Sequence, residues 1–314
     1  MRPKLFNLSP RLAVPLALAA LLMVMPAAAQ ATCEPGFRLI VHAMGETCVV
    51  EHPQRVVVLD TNELDSVLAL GVKPVGAVEA VAGGGFPAYL SYLTEGVEVV
   101  GTIGTPNLEM ILALDPDLIL SSKPRHEDIY PQLTEIAPTV FTETLARAVW
   151  KDHLQLHAQA LNREDVLALR LAEYDARIDF IRGVIPVEDI AVSIVRFTPT
   201  ENRIMPHGSF VGSLIQEIGF ARPEAQDNDE FKIVVSQEQI NLMDGDVMFL
   251  STYGAAEDTE LSAYTGSPLW QTLSVVQNDR VYPVSDDHWF LGIGLLGANR
   301  IMDDLLVLLG QYKG

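Results

Sequence analysis

The chain has 314 residues and carries 21 Lys and Arg against 41 Asp and Glu, a formal charge of −20 at pH 7. So negative a balance argues against nucleic acid or an anionic membrane as partner, because both demand a positive surface. The length left after an export signal, about 283 residues, exceeds what a single hydrophobic core usually serves, so two lobes are expected.

Arg2, Lys4 and Arg11 precede an apolar run from Leu12 to Met25, which ends in Pro26-Ala27-Ala28-Ala29-Gln30-Ala31. A basic start, an apolar centre and small residues at the end describe a secretory signal over residues 1–31, cleaved after Ala29 or Ala31. Pro15 and Pro26 interrupt the run, which falls short of the ~20 residues a membrane span needs. Its removal takes away three basic residues and no acidic one, leaving a charge near −23. Cys33 follows Gln30-Ala31-Thr32, a poor match to a lipoprotein acylation box, so a soluble periplasmic protein is expected. In that oxidising compartment the two cysteines, Cys33 and Cys48, are expected to form one disulfide, which a loop of this size makes worth roughly 3 kcal/mol. A metal pair is the alternative, but two cysteines alone do not make a zinc site. Between them, Phe37 to Thr47 reads as a hairpin turning at Met44-Gly45-Glu46.

Residues 32–149 form the expected N-terminal lobe. Arg55 to Asp60 is a β-branched run fit for a strand buried on both faces. Thr61 to Leu70 has helical spacing, with Thr61 or Asn62 to cap it and Gly71 to stop it. Short strands follow at 74–78 and 97–100, with a Gly83-Gly84-Gly85 loop between them. Then come a helix at 107–114, a strand at 117–120, a helix at 130–136 and a strand at 139–141. Alternating strands and helices predict a mainly parallel sheet.

The unit Asn107 to Leu120 returns in degenerate form at Ser236 to Leu250. Setting Glu109 on Glu238 places Ile111 on Ile240, Leu114 on Met243, Asp115 on Asp244, Pro116 on Gly245 and Asp117 on Asp246. Each copy reads as a helix, a tight turn and a buried strand. Val56 to Leu59 has a counterpart in Ala191 to Val195, and the helix stop at Gly71 has one at Gly219. Two related lobes explain this order better than chance recurrence. Between them, residues 150–185 read as almost continuous helix, with Asn162 capping and Asp165 completing a capping box. Arg163 to Val184 would span roughly 33 Å, a rigid strut rather than a flexible linker, and would leave a largely preformed cleft. Residues 186–314 form the expected C-terminal lobe. The fold class is therefore α/β, two Rossmann-like lobes with mainly parallel sheets joined by one long rigid helix.

In open α/β sheets ligands bind beyond the carboxyl ends of the strands. Those positions supply Arg125 in the first lobe, and Arg196, Arg203, Tyr253 and Trp289 in the second, as candidate ligand contacts. The arginines would give charge-assisted hydrogen bonds worth roughly 1.5–3 kcal/mol each, and the aromatics flat apolar surface. Read singly, each arginine is as well explained by a surface ion pair in so acidic a chain.

Arg55-Val56-Val57-Val58-Leu59 through Leu68-Ala69-Leu70-Gly71-Val72-Lys73-Pro74-Val75-Gly76 resembles the opening of periplasmic ferric-siderophore-binding proteins, the class III solute-binding proteins with a helical backbone. So do Asn107-Leu108-Glu109 with Asp115-Pro116-Asp117-Leu118-Ile119, and Trp289 followed by Gly292, Gly294 and Ala298. The resemblance runs from about residue 50 to the end. It implies a monomer that captures a ferric siderophore between its lobes and hands it to the permease of an ABC importer, with no resident cofactor. It also implies that Glu109 and Glu238, one per lobe, dock onto arginines of that permease, which would explain why the repeat keeps its glutamate. The family includes cobalamin and haem binders as well; the paired arginines favour an anionic ferric chelate.

Other constellations carry less. His153 and His157 have the i,i+4 spacing of many zinc sites, but Leu154 stands where a metalloprotease needs its glutamate. Gly292-Ile293-Gly294-Leu295-Leu296-Gly297 matches a dinucleotide fingerprint with no strand before it, and reads better as small residues that let a helix pack closely. His207-Gly208-Ser209-Phe210-Val211-Gly212 has its serine displaced from a nucleophile elbow. No nucleophile, base and orienting group assemble, so an exported enzyme is the weaker alternative.

Overall fold

The structure is a computed structural model that describes residues 32–80, 83–145, 147–310 and 312. The expected export signal lies outside the described residues. Cys33 and Cys48 are joined by a disulfide with their Cα atoms 5.6 Å apart, as expected. It staples the chain start to an antiparallel hairpin, β1 (Phe37–His42) and β2 (Gly45–Val50). The turn falls one residue earlier than the sequence suggests. His42 pairs with Gly45 across Ala43-Met44, because the positive φ of +122° is available at glycine.

The first sheet takes β3 (Val56–Val58), β4 (Gly76–Glu79), β5 (Glu98–Thr102), β6 (Thr105–Pro106), β7 (Leu118–Ser122) and β8 (Thr139–Thr142). Their order is β6-β5-β4-β3-β7-β8, parallel throughout except for the short edge strand β6. α1 (Thr61–Ala69) follows β3, α2 (Leu108–Ala113) precedes β7, and α3 (Lys123–His126) and α4 (Tyr130–Ile136) lead to β8. Asp60, not Thr61 or Asn62, caps α1, its carboxylate accepting the Thr61 N–H at 2.7 Å. That leaves the Asn62 side chain free for a distant contact.

α5 (Trp150–Leu161) and α6 (Glu164–Val184) then connect to the second sheet. Asn162 does cap a helix, but the other one. At φ +55° it is the left-handed C-cap of α5, while Arg163 opens α6 with no side-chain cap. The short polar side chain of asparagine tolerates that conformation and there ends α5. The second sheet contains β9 (Val192–Phe197), β10 (Asn202–Ile204), β11 (Ile233–Val234), β12 (Val247–Thr252) and β13 (Val281–Pro283), with α7 (Phe210–Ile218) between β10 and β11. Its order is β11-β10-β9-β12-β13. Only β9, β12 and β13 are parallel, and β10 folds back antiparallel on β9, so this sheet is mixed. The second copy of the repeat is a 3-10 turn over Gln237–Met243 where the first is the α-helical α2; Ile240 and Met243 are nonetheless buried, as Ile111 is. α8 (Leu261–Thr265), α9 (Ser274–Gln277), α10 (Asp286–Trp289) and α11 (Leu295–Leu309) complete the chain.

Strand alternation divides the core. Val56 and Val58 of β3 point into the same apolar cluster as Val192 and Ile194 of β9, whereas Val57 faces a separate cluster behind the first sheet. The shared cluster also takes in Leu154 of α5, Tyr174 and Ile178 of α6, Leu214 of α7 and Ile301 of α11. Rigidity between the lobes therefore comes from one continuous helical core, with α6 as only part of it. Close-packed apolar interiors do not slide cheaply, which leaves the cleft above them largely preformed.

Candidate functional site

The carboxyl ends of the parallel strands in both sheets open onto one groove. From the first lobe come Asp60 and Thr61 after β3, and Arg125 after β7. Arg147 joins them from the β8–α5 connection. From the second come Phe231, Phe290 and Leu291, enclosing about 310 Å³. Leu291 is also a wall of an adjoining space of about 300 Å³ lined by Arg196, Thr198, Arg203 and Tyr253. A larger depression of about 540 Å³ lies at the far end of α6, among Arg182, Ile185 and Gly219, but no strand ends converge there.

Four arginines reach this groove, and their partners differ. Arg125 donates from Nε to Asp60 at 2.8 Å and stays partly exposed. Arg196 is buried and forked onto Asp286, with Nε and Nη2 each 2.6 Å from a carboxylate oxygen. Its guanidinium also lies 5.0 Å from the ring centres of both Tyr253 and Phe290. Burial raises the Asp286 carboxyl above its usual range, against the pull of Arg196. Arg203 stands opposite Arg196 in the β9–β10 register and pairs with Glu201, which Lys232 also contacts. Lys232 first, and Arg203 after it, hold the Glu201 carboxyl below its usual range. Arg147 makes no ion pair with a described carboxylate; it stacks over Phe231, 3.9 Å from the ring centre.

The floor of the first lobe is a buried polar layer. His126 donates from Nε2 to the Ile103 carbonyl at 2.7 Å, which leaves Nδ1 to accept the Ser121 hydroxyl at 2.6 Å. This fixes Ile103, a wall of the groove, beside Arg125. Below Asp60, Glu63 is wholly buried and pushed up to about 8 by burial and by the neighbouring Asp60 charge. His157 lies 3.9 Å away and is lowered to about 3, chiefly by burial. At neutral pH this is a contact between a protonated carboxyl and a neutral imidazole, not a salt bridge. His153, lowered to about 4 by burial, is held between the Asn62 carbonyl and the Thr144 hydroxyl at 3.3 Å each, so its ring nitrogens are engaged within the protein.

Of the residues named from the sequence, Arg125, Arg196, Arg203 and Tyr253 line the groove. Trp289 does not. It is fully buried, donates to Asp304 at 2.8 Å and packs on Phe249 with ring centres 4.6 Å apart, so it is a core residue and the groove is lined by the next one, Phe290. A large aromatic after a strand marks the place, but which of two adjacent rings points outward is set by packing. Arg147 was within reach of sequence reasoning, five residues past the end of β8. Phe231 was not, since it lies in an irregular stretch with no periodicity.

Glu109 and Glu238 are both exposed, one in the first turn of α2 and the other in the 3-10 turn before β12. Asn107 caps the first turn, while the Ser236 hydroxyl donates to Glu238 at 2.7 Å and lowers its carboxyl. The other sequence motifs serve packing. Ser209 caps α7 by accepting the Gly212 N–H at 3.0 Å, and Gly292 and Gly297 touch so closely that a Cβ on Gly297 would lie 1.8 Å from the Gly292 carbonyl oxygen.

An α/β frame with a basic, aromatic-walled groove at its strand ends is the architecture of a solute-binding protein. Residues 56–287 match the family described as periplasmic binding protein, and the chain belongs to that family. It is 40% identical over 281 residues to the probable siderophore-binding lipoprotein YfiY of Bacillus subtilis (strain 168), covering 85% of this chain and 86% of that protein. It is 31% identical to the Fe(3+)-citrate-binding protein YfmC of the same organism, over 86% of this chain and 85% of that one. Among solved structures, Staphylococcus aureus SirA complexed with staphyloferrin B superposes with a TM-score of 0.76 at 33% identity, covering 87% of this chain and 98% of that one. The family resemblance read from the sequence is thus shown.

Proposed function

We propose that this protein captures a ferric siderophore in the groove between its lobes, favouring an anionic, carboxylate-bearing chelate, and delivers it to an ABC-type importer. One observation carries the reading: Arg125, Arg147, Arg196 and Arg203 gather at a single groove in a chain whose overall charge is −20. At physiological salt the screening length is about 8 Å, so distant carboxylates fade and the groups on the groove walls set the local field. The Fe(3+)-citrate bound by YfmC and the staphyloferrin B complexed with SirA support the same class. Iron arrives already wrapped by its chelator, which leaves the protein to recognise charge and shape and to need no cofactor of its own. Tyr253, Phe231 and Phe290 offer the apolar surface against which a planar or bulky chelate packs. In this reading the protein works as a periplasmic monomer, and Glu109 and Glu238 are the contacts that meet the permease, one from each copy of the repeat.

The test is intrinsic tryptophan fluorescence of the mature protein, titrated with ferric carboxylate, hydroxamate and catecholate chelates, haem and cobalamin, corrected for ligand absorbance. Saturable quenching at submicromolar ferric carboxylate chelate is the expected result. Preference for haem or cobalamin would overturn the ligand class and leave the fold unchanged.

A further inference from the structure

Thr200, in the turn between β9 and β10, is a wall of two spaces. One is the arginine-lined extension of the groove. The other, of about 380 Å³, opens beside Glu238 and is also lined by Glu201, Asn202 and Glu260. Three carboxylates by themselves describe only an acidic surface. Asn202 adds an independent observation. It is 3% exposed and donates from Nδ2 to Glu260 at 2.6 Å. Only the amide nitrogen can face a carboxylate, so the buried Oδ1 is left as an acceptor with no donor among the described residues. Glu260 is held by that amide and Glu238 by the Ser236 hydroxyl, and neither meets a cation among the described residues. The pocket therefore offers negative charge and an unused acceptor to a positively charged N–H donor.

Glu201 joins this pocket to the groove. It is a wall of the pocket, and one of its carboxylate oxygens holds both Lys232 and Arg203, a wall of the groove. We infer that the pocket takes a basic side chain of the importer, and that Glu201 makes its affinity for that cation depend on whether Arg203 holds an anionic chelate. This coupling rests on the ferric-chelate reading and on the docking role of Glu238, and adds to them a way to tell a loaded protein from an empty one. Without ligand, Arg203 and Lys232 together offset the Glu201 charge. A chelate carboxylate that engages Arg203 leaves Glu201 less compensated, so the pocket becomes more negative and holds a cation more tightly. The effect is reciprocal. A cation in the pocket draws Glu201 from Arg203, and the freed arginine binds the chelate more tightly by the same factor.

Two experiments on the mature protein test this. In the first, N-methylguanidinium is titrated into 15N-labelled wild type with and without gallium citrate, the diamagnetic stand-in for ferric citrate. The amide signals of Asn202, Ser236 and Glu238 should shift saturably, and half-saturation should fall about fivefold with the chelate present. Absence of these shifts, or the same half-saturation in both conditions, would overturn the inference. The second is a cycle of Val234→Arg, Glu201→Gln and the double variant, titrated by fluorescence with ferric citrate and ferric staphyloferrin B, with thermal melts alongside. Val234 is 52% exposed and lines the pocket, so arginine there supplies a tethered cation. Glu201→Gln keeps the turn, which is held by the backbone of residue 201 against Thr198. Each single substitution should tighten chelate binding severalfold, and the double variant should bind no tighter than Glu201→Gln alone. Independent, multiplying gains would overturn the inference. So would an equal gain from Val307→Arg, an exposed position on α11 outside both spaces. Failure of the wild type to bind either chelate would overturn the ligand reading itself, and the inference with it.

Discussion

Gly294 touches Asp65 across the two lobes: a Cβ added to Gly294 would lie 2.3 Å from the Asp65 carboxylate. Asp65, on α1, accepts the N–H groups of Leu296 at 3.0 Å and Gly297 at 2.9 Å, at the start of α11, and the Tyr89 hydroxyl at 2.8 Å. Asn62 donates to the Ile293 carbonyl, and Asp287 accepts the N–H groups of Ala88 and Tyr89. A buried anion at a helix N-terminus thus fastens one lobe to the other beside the groove. Gly294→Ala should destabilise the protein by about 2–4 kcal/mol in urea denaturation, because the added methyl group meets a fixed carboxylate. Asp65→Asn should cost about 1–3 kcal/mol, because an amide N–H replaces one of the two acceptor oxygens.

Arg196 and Asp286 constrain how the groove can be probed. Removing the arginine alone leaves a buried carboxylate unpaired, so Arg196→Ala should lower stability by roughly 3–5 kcal/mol as well as weaken ligand binding. Joining it to Asp286→Asn should recover most of the stability but not the affinity. A double-mutant cycle read by denaturation and by titration separates the two effects.

Glu63 makes stability depend on pH. Folding raises its carboxyl from 4.5 to about 8, so the folded chain holds a proton that the unfolded chain has released, and stability falls as pH rises through that window. His157 acts in the opposite sense and lower. The unfolded chain takes up its proton below pH 6.5 while the folded one does not until about 3, so stability also falls as pH drops below 6.5. Between pH 6.5 and 8 the Glu63 contribution stands apart from that of His157. Over that interval the wild type should lose about 2 kcal/mol and Glu63→Gln should lose almost none, measured by denaturant midpoints. A decline that persists in the variant would assign it to another group.

The Cys33–Cys48 disulfide bears on both stability and anchoring. Reduction, or Cys48→Ser, should cost roughly 3 kcal/mol through the freed loop. A thioether lipid on Cys33 and this disulfide exclude each other, although the relative YfiY is described as a lipoprotein. The mass of the exported protein should therefore show two cysteines joined and no acyl chain. An acylated Cys33 would refute this.

Charge reversal at the two repeated glutamates, Glu109→Lys with Glu238→Lys, should leave chelate affinity within about twofold, since both side chains are exposed and neither lines the groove. Uptake of the iron chelate by cells carrying the importer should drop severalfold. Undiminished uptake would remove the docking role.

The repeat was legible in the sequence for a reason the structure makes concrete. Asp117 accepts the N–H groups of Gln54 at 2.7 Å and Arg55 at 2.9 Å, just before β3, and Asp246 accepts the Ala191 N–H at 2.8 Å, just before β9. In each lobe the same aspartate ties the start of the repeated strand to its parallel neighbour. The first aspartates have diverged. Asp115 occupies a left-handed turn at φ +46°, whereas Asp244 caps α9 through Ser274 and Val275. Helix caps were harder to read. Asp60, Asn162 and Arg163 each sit where propensity allows several choices, and the contacts of the flanking elements decided among them.

By itself the sequence determined what depends on near neighbours and on pattern. That covers the alternating strands and helices, the doubled unit, the pairing of two lone cysteines and the set of basic residues past strand ends. Only the tertiary structure decided which of those charges are spent. Arg196 and Asp286 are 90 residues apart in the chain and Arg125 and Asp60 are 65 apart, yet each pair is in direct contact. Trp289 was drawn into the core while Phe290 took the wall of the groove. A side chain's charge is written in its own residue. Whether that charge is available to a ligand depends on what the fold brings beside it.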